Sequence, residues 1–273
     1  MATDQNGYLL ARASDEVERL GFWAQVWEPE TEAMIDQIPV QTGWQCIDLG
    51  CGPRGILGPL ARRVGPTGTV IGLDTNPTLL AAASEFAKAN GYANVSLTAG
   101  DAYATGLPRS SFDLVHARFV LTPLGREEAL LKEMLELVRP GGFIALQESD
   151  SSSYVSYPPQ PAWDRLKELT VAAFARGGGD YDTGRRLYGI LRRAGLEKIH
   201  VRAAVLALPN GDPFRRWPLQ SVEALQTRMI EWGLTTEAEL ESLLAAGKEI
   251  ADNDGIFLLS FMVVQAWGQK PKP

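Results

Sequence analysis

Cysteine and histidine are scarce in this chain, with two of each. Cys46 and Cys51 are too few and too close together for a disulfide framework, a usage that suits a reducing cytoplasm. His116 and His200 have no ligand spacing around them, so no metal site is expected. Long apolar runs are missing too, and no uncharged stretch approaches membrane-spanning length. The opening stretch, MATDQNGYLLARASDEVERL, has acids and no apolar segment of the kind a secretory leader carries. Excess positive charge is also lacking. The formal net charge is −7, with Lys and Arg scattered, which argues against a nucleic-acid partner.

What is present fits a globular α/β protein. The 273 residues are 45% hydrophobic and 22% charged, enough for one large domain or a domain with a sizeable insertion. Residues 8–36 read as two short helices, broken near Gly21 and Pro29. After Gly43 the pattern changes. Strand-like runs at 44–49, 69–74, 95–101, 112–121 and 143–150 alternate with helical segments at 55–65, 77–91 and 125–138. Pro77 suits a helical first turn and Gly91 a helix stop. Such alternation predicts a parallel sheet covered on both faces, because each parallel link needs a crossover. Beyond it, 161–176 and 183–195 read as helices, 196–208 as a sixth strand and 256–268 as a seventh. The intervening 209–255 is mostly helical.

The segment CIDLGCGPRG (46–55) is the most informative. A strand feeds a Gly-rich turn at a helix N-terminus, and Gly50 and Gly52 let a ligand approach the backbone. Asp74 ends the next strand, where a carboxylate can accept from both hydroxyls of a ribose. Gly50, Gly52 and Gly55 also satisfy the spacing of a dinucleotide fingerprint. Asp48 argues otherwise. A carboxylate there repels a pyrophosphate and favours the ammonium and sulfonium of a methionine-derived ligand; its alternative role is a cap on the turn. Asp101 and Ala102, after the third strand, can take the amino group and a ring nitrogen of an adenine, or form an ordinary turn.

CIDLGCGPRG, VIGLD, AGDA, FDLVHAR and LVRPGGFIALQE together resemble the successive motifs of the class I S-adenosylmethionine-dependent methyltransferases. They are similar to the small-molecule and natural-product branch related to the ubiquinone and menaquinone C-methyltransferases. The resemblance covers 44–150 well and the final strand loosely. It implies a Rossmann-like, seven-stranded, mostly parallel sheet with an antiparallel last strand, and S-adenosyl-L-methionine as cofactor. It also implies that Gly50, Cys51 and Gly52 line the methionine and ribose part, that Asp74 with Thr75 holds the ribose, and that Asp101 and Ala102 read adenine. His116, Ala117 and Arg118 would pass near the reacting methyl group. One departure is Arg54, which stands where the family's commonest turn has glycine; it points either to the cofactor carboxylate or to solvent.

The expected organisation is an N-terminal helical cap (1–42), a catalytic domain (43–208 and 256–270) and a helical lid insertion (209–255). The insertion leaves from the strand edge where ligands bind in open α/β sheets, and it is longer than connectivity needs. A dimerisation element is the alternative. Methyl transfer requires alignment and exclusion of water, not a covalent nucleophile. His116 and Glu148, near strand ends, are the candidate general bases. Their alternatives are a core imidazole and a structural acceptor for loop N–H groups. Aromatics concentrated outside the central core, Tyr8, Phe22, Trp23, Trp27, Tyr154, Tyr157, Trp163, Tyr181, Tyr188, Trp217 and Trp232, suggest an apolar pocket for a ring-bearing small molecule, or ordinary packing. Arg215 and Arg216 fit an anionic acceptor or a solvated pair. The expected partner is therefore a small-molecule acceptor, with no nucleic acid and no membrane, and a homodimer is left open. Competing functions are a nucleic-acid or protein methyltransferase, a nicotinamide dehydrogenase, and a cofactor-retaining cyclase or noncatalytic module.

Overall fold

A computed structural model describes residues 16–272. Tyr8, Leu9 and Leu10 of the expected first helix lie outside the described residues. In chain order the elements are α1 (Glu16–Val26), α2 (Glu28–Ile35), β1 (Gln45–Leu49), α3 (Leu57–Val64), β2 (Thr69–Asp74), α4 (Pro77–Ala89), β3 (Val95–Ala99), β4 (Phe112–Arg118), α5 (Leu121–Leu124), α6 (Glu127–Leu137) and β5 (Val138–Asp150). There follow β6 (Ser156–Tyr157), α7 (Pro161–Arg176), α8 (Leu187–Arg193), β7 (Glu197–Ala204), β8 (Ala207–Leu208), α9 (Trp217–Glu231), α10 (Glu237–Asp252), β9 (Phe257–Leu259) and β10 (Met262–Gln269).

Seven strands form the main sheet in the order β3-β2-β1-β4-β5-β10-β7. The first five are parallel, and β10 runs antiparallel between β5 and β7. This is the expected Rossmann-like arrangement. Alternate strand residues face opposite layers. Ile47, Val115 and Ile144 join Leu130, Met134 and Ile190 from α6 and α8 on one face. Cys46, Leu114 and Ala145 join Met34, Leu57 and Leu60 from α2 and α3 on the other. The central strands are thus buried on both sides, which is why they read as continuous apolar runs. Local chemistry fixes the helix ends. Asn76 accepts from the Thr78 and Leu79 N–H groups with Pro77 at the first turn, and Thr236 caps α10 through the Glu239 N–H.

Two expected strands are each split. The run 196–208 divides into β7 and β8, and 256–268 into β9 and β10. β6, β9 and β8 make a separate three-stranded antiparallel sheet. The break is held by Ser260, whose N–H donates to the Leu206 carbonyl at 2.9 Å and whose Oγ accepts from the Leu206 N–H at 2.9 Å. β5 is longer than expected at its start, because Val138 already pairs with Phe112.

A third core joins α7, α9 and α10 to the small sheet and to Trp27. Arg215 secures it. Its buried guanidinium donates to the carbonyls of Leu208 (2.7 Å), Ala251 (2.7 Å), Asn253 (3.0 Å) and Ile256 (3.0 Å). Arg215 therefore closes the insertion and caps the C-terminal end of α10, and it is unavailable to an anionic acceptor. Arg216 forms an exposed pair with Asp252.

Candidate functional site

At the carboxyl ends of β1, β2, β3 and β4 lies a cavity of about 380 Å³. Its floor is the Gly50–Gly52 turn, Asp74, Thr75, Gly100, Asp101 and Ala102, and its far wall is Leu20, Trp23 and Ala24 of α1. A larger, shallow depression of about 800 Å³ between α6 and α8, lined by Arg109, Leu131 and Arg193, contains none of the motif residues.

The turn after β1 is shaped by close approach. Gly50 has φ +71°, and a Cβ there would come within 2.7 Å of Val120 Cγ2. Gly52 has φ +56° with open space where its Cβ would be, so its backbone faces the cavity uncovered. Asp74 braces this turn: Oδ2 accepts from the Gly52 N–H at 2.9 Å and Oδ1 from the Asn76 N–H at 2.9 Å. Burial pushes the Asp74 carboxyl up, while those N–H groups pull it back. Each oxygen keeps a lone pair toward the cavity, the arrangement a ribose diol requires. Asp101 Oδ1 accepts from the Tyr103 N–H at 2.9 Å, which orients the carboxylate beside Ala102.

Asp48 lines the cavity but is also committed to the fold. Its Oδ2 accepts from the Ile56 N–H at 3.0 Å, and its Oδ1 lies 2.7 Å from His116 Nδ1. The other ring nitrogen of His116 lies 2.8 Å from Gln147 Nε2. Gln147 Oε1 accepts from Thr31 and Gln265, so the Gln147 amide must donate to the ring, and the imidazole proton sits on Nδ1 toward Asp48. The ladder continues from Gln265 to Arg202 and Glu30. It crosses β1, β4, β5, β10 and β7 beneath α2.

Both candidate bases therefore require correction. His116 is fully buried with both nitrogens occupied and does not line the cavity. Glu148 is equally buried and accepts from the N–H groups of Val120 (3.1 Å), Leu121 (2.9 Å) and Thr122 (3.0 Å), which anchors the start of α5. Burial pushes its carboxyl up to about 7 against those donors. Neither side chain lines the cavity. Ala117 needs a correction too: it is buried in the sheet between Leu49 and Leu146, and the cavity is met instead by Arg118 and Phe119. Cys51 and Thr75 do line the cavity, and burial pushes the Cys51 thiol up.

Of the cavity residues, Phe119 and Arg126 carried no clear signal in the sequence, whereas Arg118 was expected near the ligand. Phe119 has φ +56°, uncommon for a bulky side chain, and this backbone turns its ring into the cavity wall. Arg126 stacks 4.1 Å over the Tyr103 ring. Arg118 donates to Thr31 Oγ1 and the Gly55 carbonyl but has no carboxylate ion pair among the described residues. Burial holds its guanidinium below the ordinary range. Arg54, by contrast, pairs with Glu28 at 2.7 Å and covers Phe86, away from the cavity. Chemically, this set of groups could hold S-adenosylmethionine: the uncovered Gly turn and a guanidinium without a carboxylate partner suit an amino-acid end, Asp74 a ribose diol and Asp101 an adenine amino group.

A family model described as "Methyltransferase domain" matches residues 41–195. The chain is 30% identical over 131 residues to a demethylmenaquinone methyltransferase of Anoxybacillus flavithermus, covering 48% of this chain and 54% of that one. It is 32% identical over 122 residues to nocamycin O-methyltransferase of Saccharothrix syringae, covering 45% and 44%. The chain thus spans about half the length of the curated relatives it matches. Among solved structures, the YcgJ protein of Bacillus subtilis superposes with a TM-score of 0.59 at 17% identity, covering 88% of this chain and 97% of that one.

Proposed function

The chain belongs to the methyltransferase-domain family, and we propose that it moves a methyl group from S-adenosylmethionine to a carbon, nitrogen or oxygen atom of a small-molecule acceptor. The observation that carries this reading is the run of groups at four successive strand ends: the Gly50–Gly52 turn, Asp74, Asp101 and Arg118. When bound, the cofactor supplies an activated methyl group on a sulfonium. The chain's own residues do the rest. Asp74 and Thr75 hold the ribose, Asp101 and Ala102 hold the adenine, and the backbone at Gly52 with Arg118 holds the amino-acid end. Asp48 adds negative potential where the ligand's positive charge lies.

His116 and Glu148 stand outside the cavity, so catalysis rests on alignment and exclusion of water. Trp23 and Phe119 supply the apolar wall for this. The relatives named above support a small-molecule acceptor, and the aromatic wall supports a ring-bearing one. The 209–255 segment is one layer removed: Trp23 Nε1 donates to Gln220 Oε1 of α9 at 3.2 Å. We read it as a lid that acts through α1. The two free, buried cysteines suit a cytoplasmic setting.

Calorimetric titration with S-adenosylhomocysteine tests the cofactor assignment, and a labelled-methyl screen of cell extracts tests transfer. Binding of NADH with no affinity for S-adenosylhomocysteine would replace this reading by a dehydrogenase.

A further inference from the structure

Two opposite charges line the cavity, the Asp48 carboxylate and the Arg118 guanidinium, and no ion pair joins them among the described residues. Both lead back to one residue that does not line the cavity: Gln147 of β5, which is 1% exposed. On one side, Arg118 Nη1 donates to Thr31 Oγ1 at 3.1 Å, and that hydroxyl donates to Gln147 Oε1 at 3.1 Å. On the other, Gln147 Nε2 stands 2.8 Å from His116 Nε2, and His116 Nδ1 stands 2.7 Å from Asp48 Oδ1.

The polarity of this chain is set from beyond it. Arg202 can only donate. Its Nη1 lies 2.6 Å from Gln265 Oε1, which turns the Gln265 amide nitrogen to Gln147 Oε1 at 2.6 Å. Gln147 must then present its oxygen to Thr31 and its N–H to His116. Every donor between the two cavity charges therefore points the same way, from guanidinium to carboxylate. In a buried setting such aligned bonds polarise and strengthen one another. They also oppose a collapse of the site. Burial lowers the Arg118 guanidinium and the Asp48 charge raises it, so the two attract across the cavity wall. Without the Thr31 and His116 tethers, that attraction would draw the long arginine onto the carboxylate. Held apart, the pair matches an α-amino acid, whose ammonium and carboxylate are likewise fixed and opposite in charge.

Resting on the cofactor assignment above, we propose that Gln147 is a positioning residue for the amino-acid end of the ligand, holding Arg118 through Thr31 and Asp48 through His116 so that the two charges stay apart to receive a zwitterion. Gln147 itself meets no ligand. Asp74 and Asp101 are held by other groups, the N–H of Gly52, Asn76 and Tyr103, so the influence of Gln147 is confined to one end of the cofactor.

The test compares S-adenosylhomocysteine with 5′-methylthioadenosine, which keeps the adenosine and the sulfur and lacks the amino-acid end. Calorimetry of the full chain reads both affinities, beside circular dichroism and a thermal scan of each variant. The unaltered protein should bind S-adenosylhomocysteine the more tightly. Gln147→Met removes both polar ends of the hub and should weaken S-adenosylhomocysteine roughly tenfold to a hundredfold, with 5′-methylthioadenosine held within about twofold. Thr31→Val keeps the shape, cuts only the Arg118 arm, and should cost S-adenosylhomocysteine roughly threefold to tenfold with the same selectivity. If Gln147→Met does not fold, Thr31→Val decides. A merely structural Gln147 would lower the thermal midpoint and weaken the two ligands alike or not at all. That result in either folded variant, or equal affinity of the unaltered protein for the two ligands, would overturn the proposal and leave the cofactor assignment standing. An unaltered protein that bound neither ligand would refute the cofactor assignment, and this proposal with it.

Discussion

Replacing Asp74 by alanine separates two jobs that one carboxylate performs. In the free protein its oxygens accept from the Gly52 and Asn76 N–H groups, both at 2.9 Å. The site is partly open to solvent, so water can replace the lost acceptor, and the stability cost should be about 1–2 kcal/mol. For a chain of this size that lowers the thermal midpoint by roughly 2–8 °C. Cofactor binding should suffer more. Charge-assisted hydrogen bonds to the ribose contribute about 1.5–3 kcal/mol, so the affinity for S-adenosylhomocysteine should fall roughly tenfold to a hundredfold. Asp74→Asn should lie between, since it keeps one acceptor oxygen but turns an amide N–H toward a backbone donor. Calorimetry and a thermal scan on the same samples distinguish the two effects. A folded Asp74→Ala protein with unchanged affinity would refute the assignment of this carboxylate to the ribose.

Asp101→Ala should weaken cofactor binding more than Asp101→Asn, which retains an acceptor oxygen; equal, negligible effects in calorimetry would mean adenine is read elsewhere. His116→Phe strips partners from Asp48 and Gln147 and should destabilise the fold by about 2–5 kcal/mol in urea titrations. If transfer were abolished with stability intact, His116 would have to meet substrate after all. Glu148 holds its proton up to about 7 in the fold but near 4.5 in the unfolded chain. Its contribution is therefore full below about 4.5 and lost as pH rises to about 7, roughly 3 kcal/mol in all; Glu148→Gln should flatten that slope, and an unchanged stability profile would contradict it. Hydrogen exchange in α1 and 209–255 should slow when S-adenosylhomocysteine and acceptor bind together; protection confined to the 46–55 turn would exclude a lid.

The proposed cofactor site was legible in the sequence because its signals are local. Gly50, Gly52, Asp74 and Asp101 each stand at a strand end within a short motif, and the structure gathers all four on one cavity. Misreadings arose where a side chain's fate depends on distant partners. His116 is claimed by Asp48 only because β1 and β4 pair in that register, and Glu148 is claimed by the start of α5, more than twenty residues earlier in the chain. The split of the last strands was equally hidden, since neither run has a Pro or an internal Gly to mark a break, which Ser260 holds by hydrogen bonds to Leu206. Arg118 and Arg54 lie close together at the same turn, yet Glu28 occupies one and no carboxylate pairs with the other. That difference is set by α2, outside every motif.

The splice between the two sheets bears on how such a chain can diversify. Leu208 and Leu258 are cross-strand partners, so the backbone departs and returns on neighbouring strands, which lie only about 5 Å apart. The Arg215 guanidinium fastens both ends to each other. A helical segment grafted between these points would leave the register of the seven-stranded sheet untouched, and lengthening it would add little closure entropy. The register of the seven-stranded sheet is thus insulated from changes in the 209–255 segment, which meets the cavity wall through Trp23 of α1. On the proposed lid role, exchanging 209–255 would be a route to new acceptor preferences that leaves the strand-end cavity in place, provided the incoming segment brings its own arginine buckle.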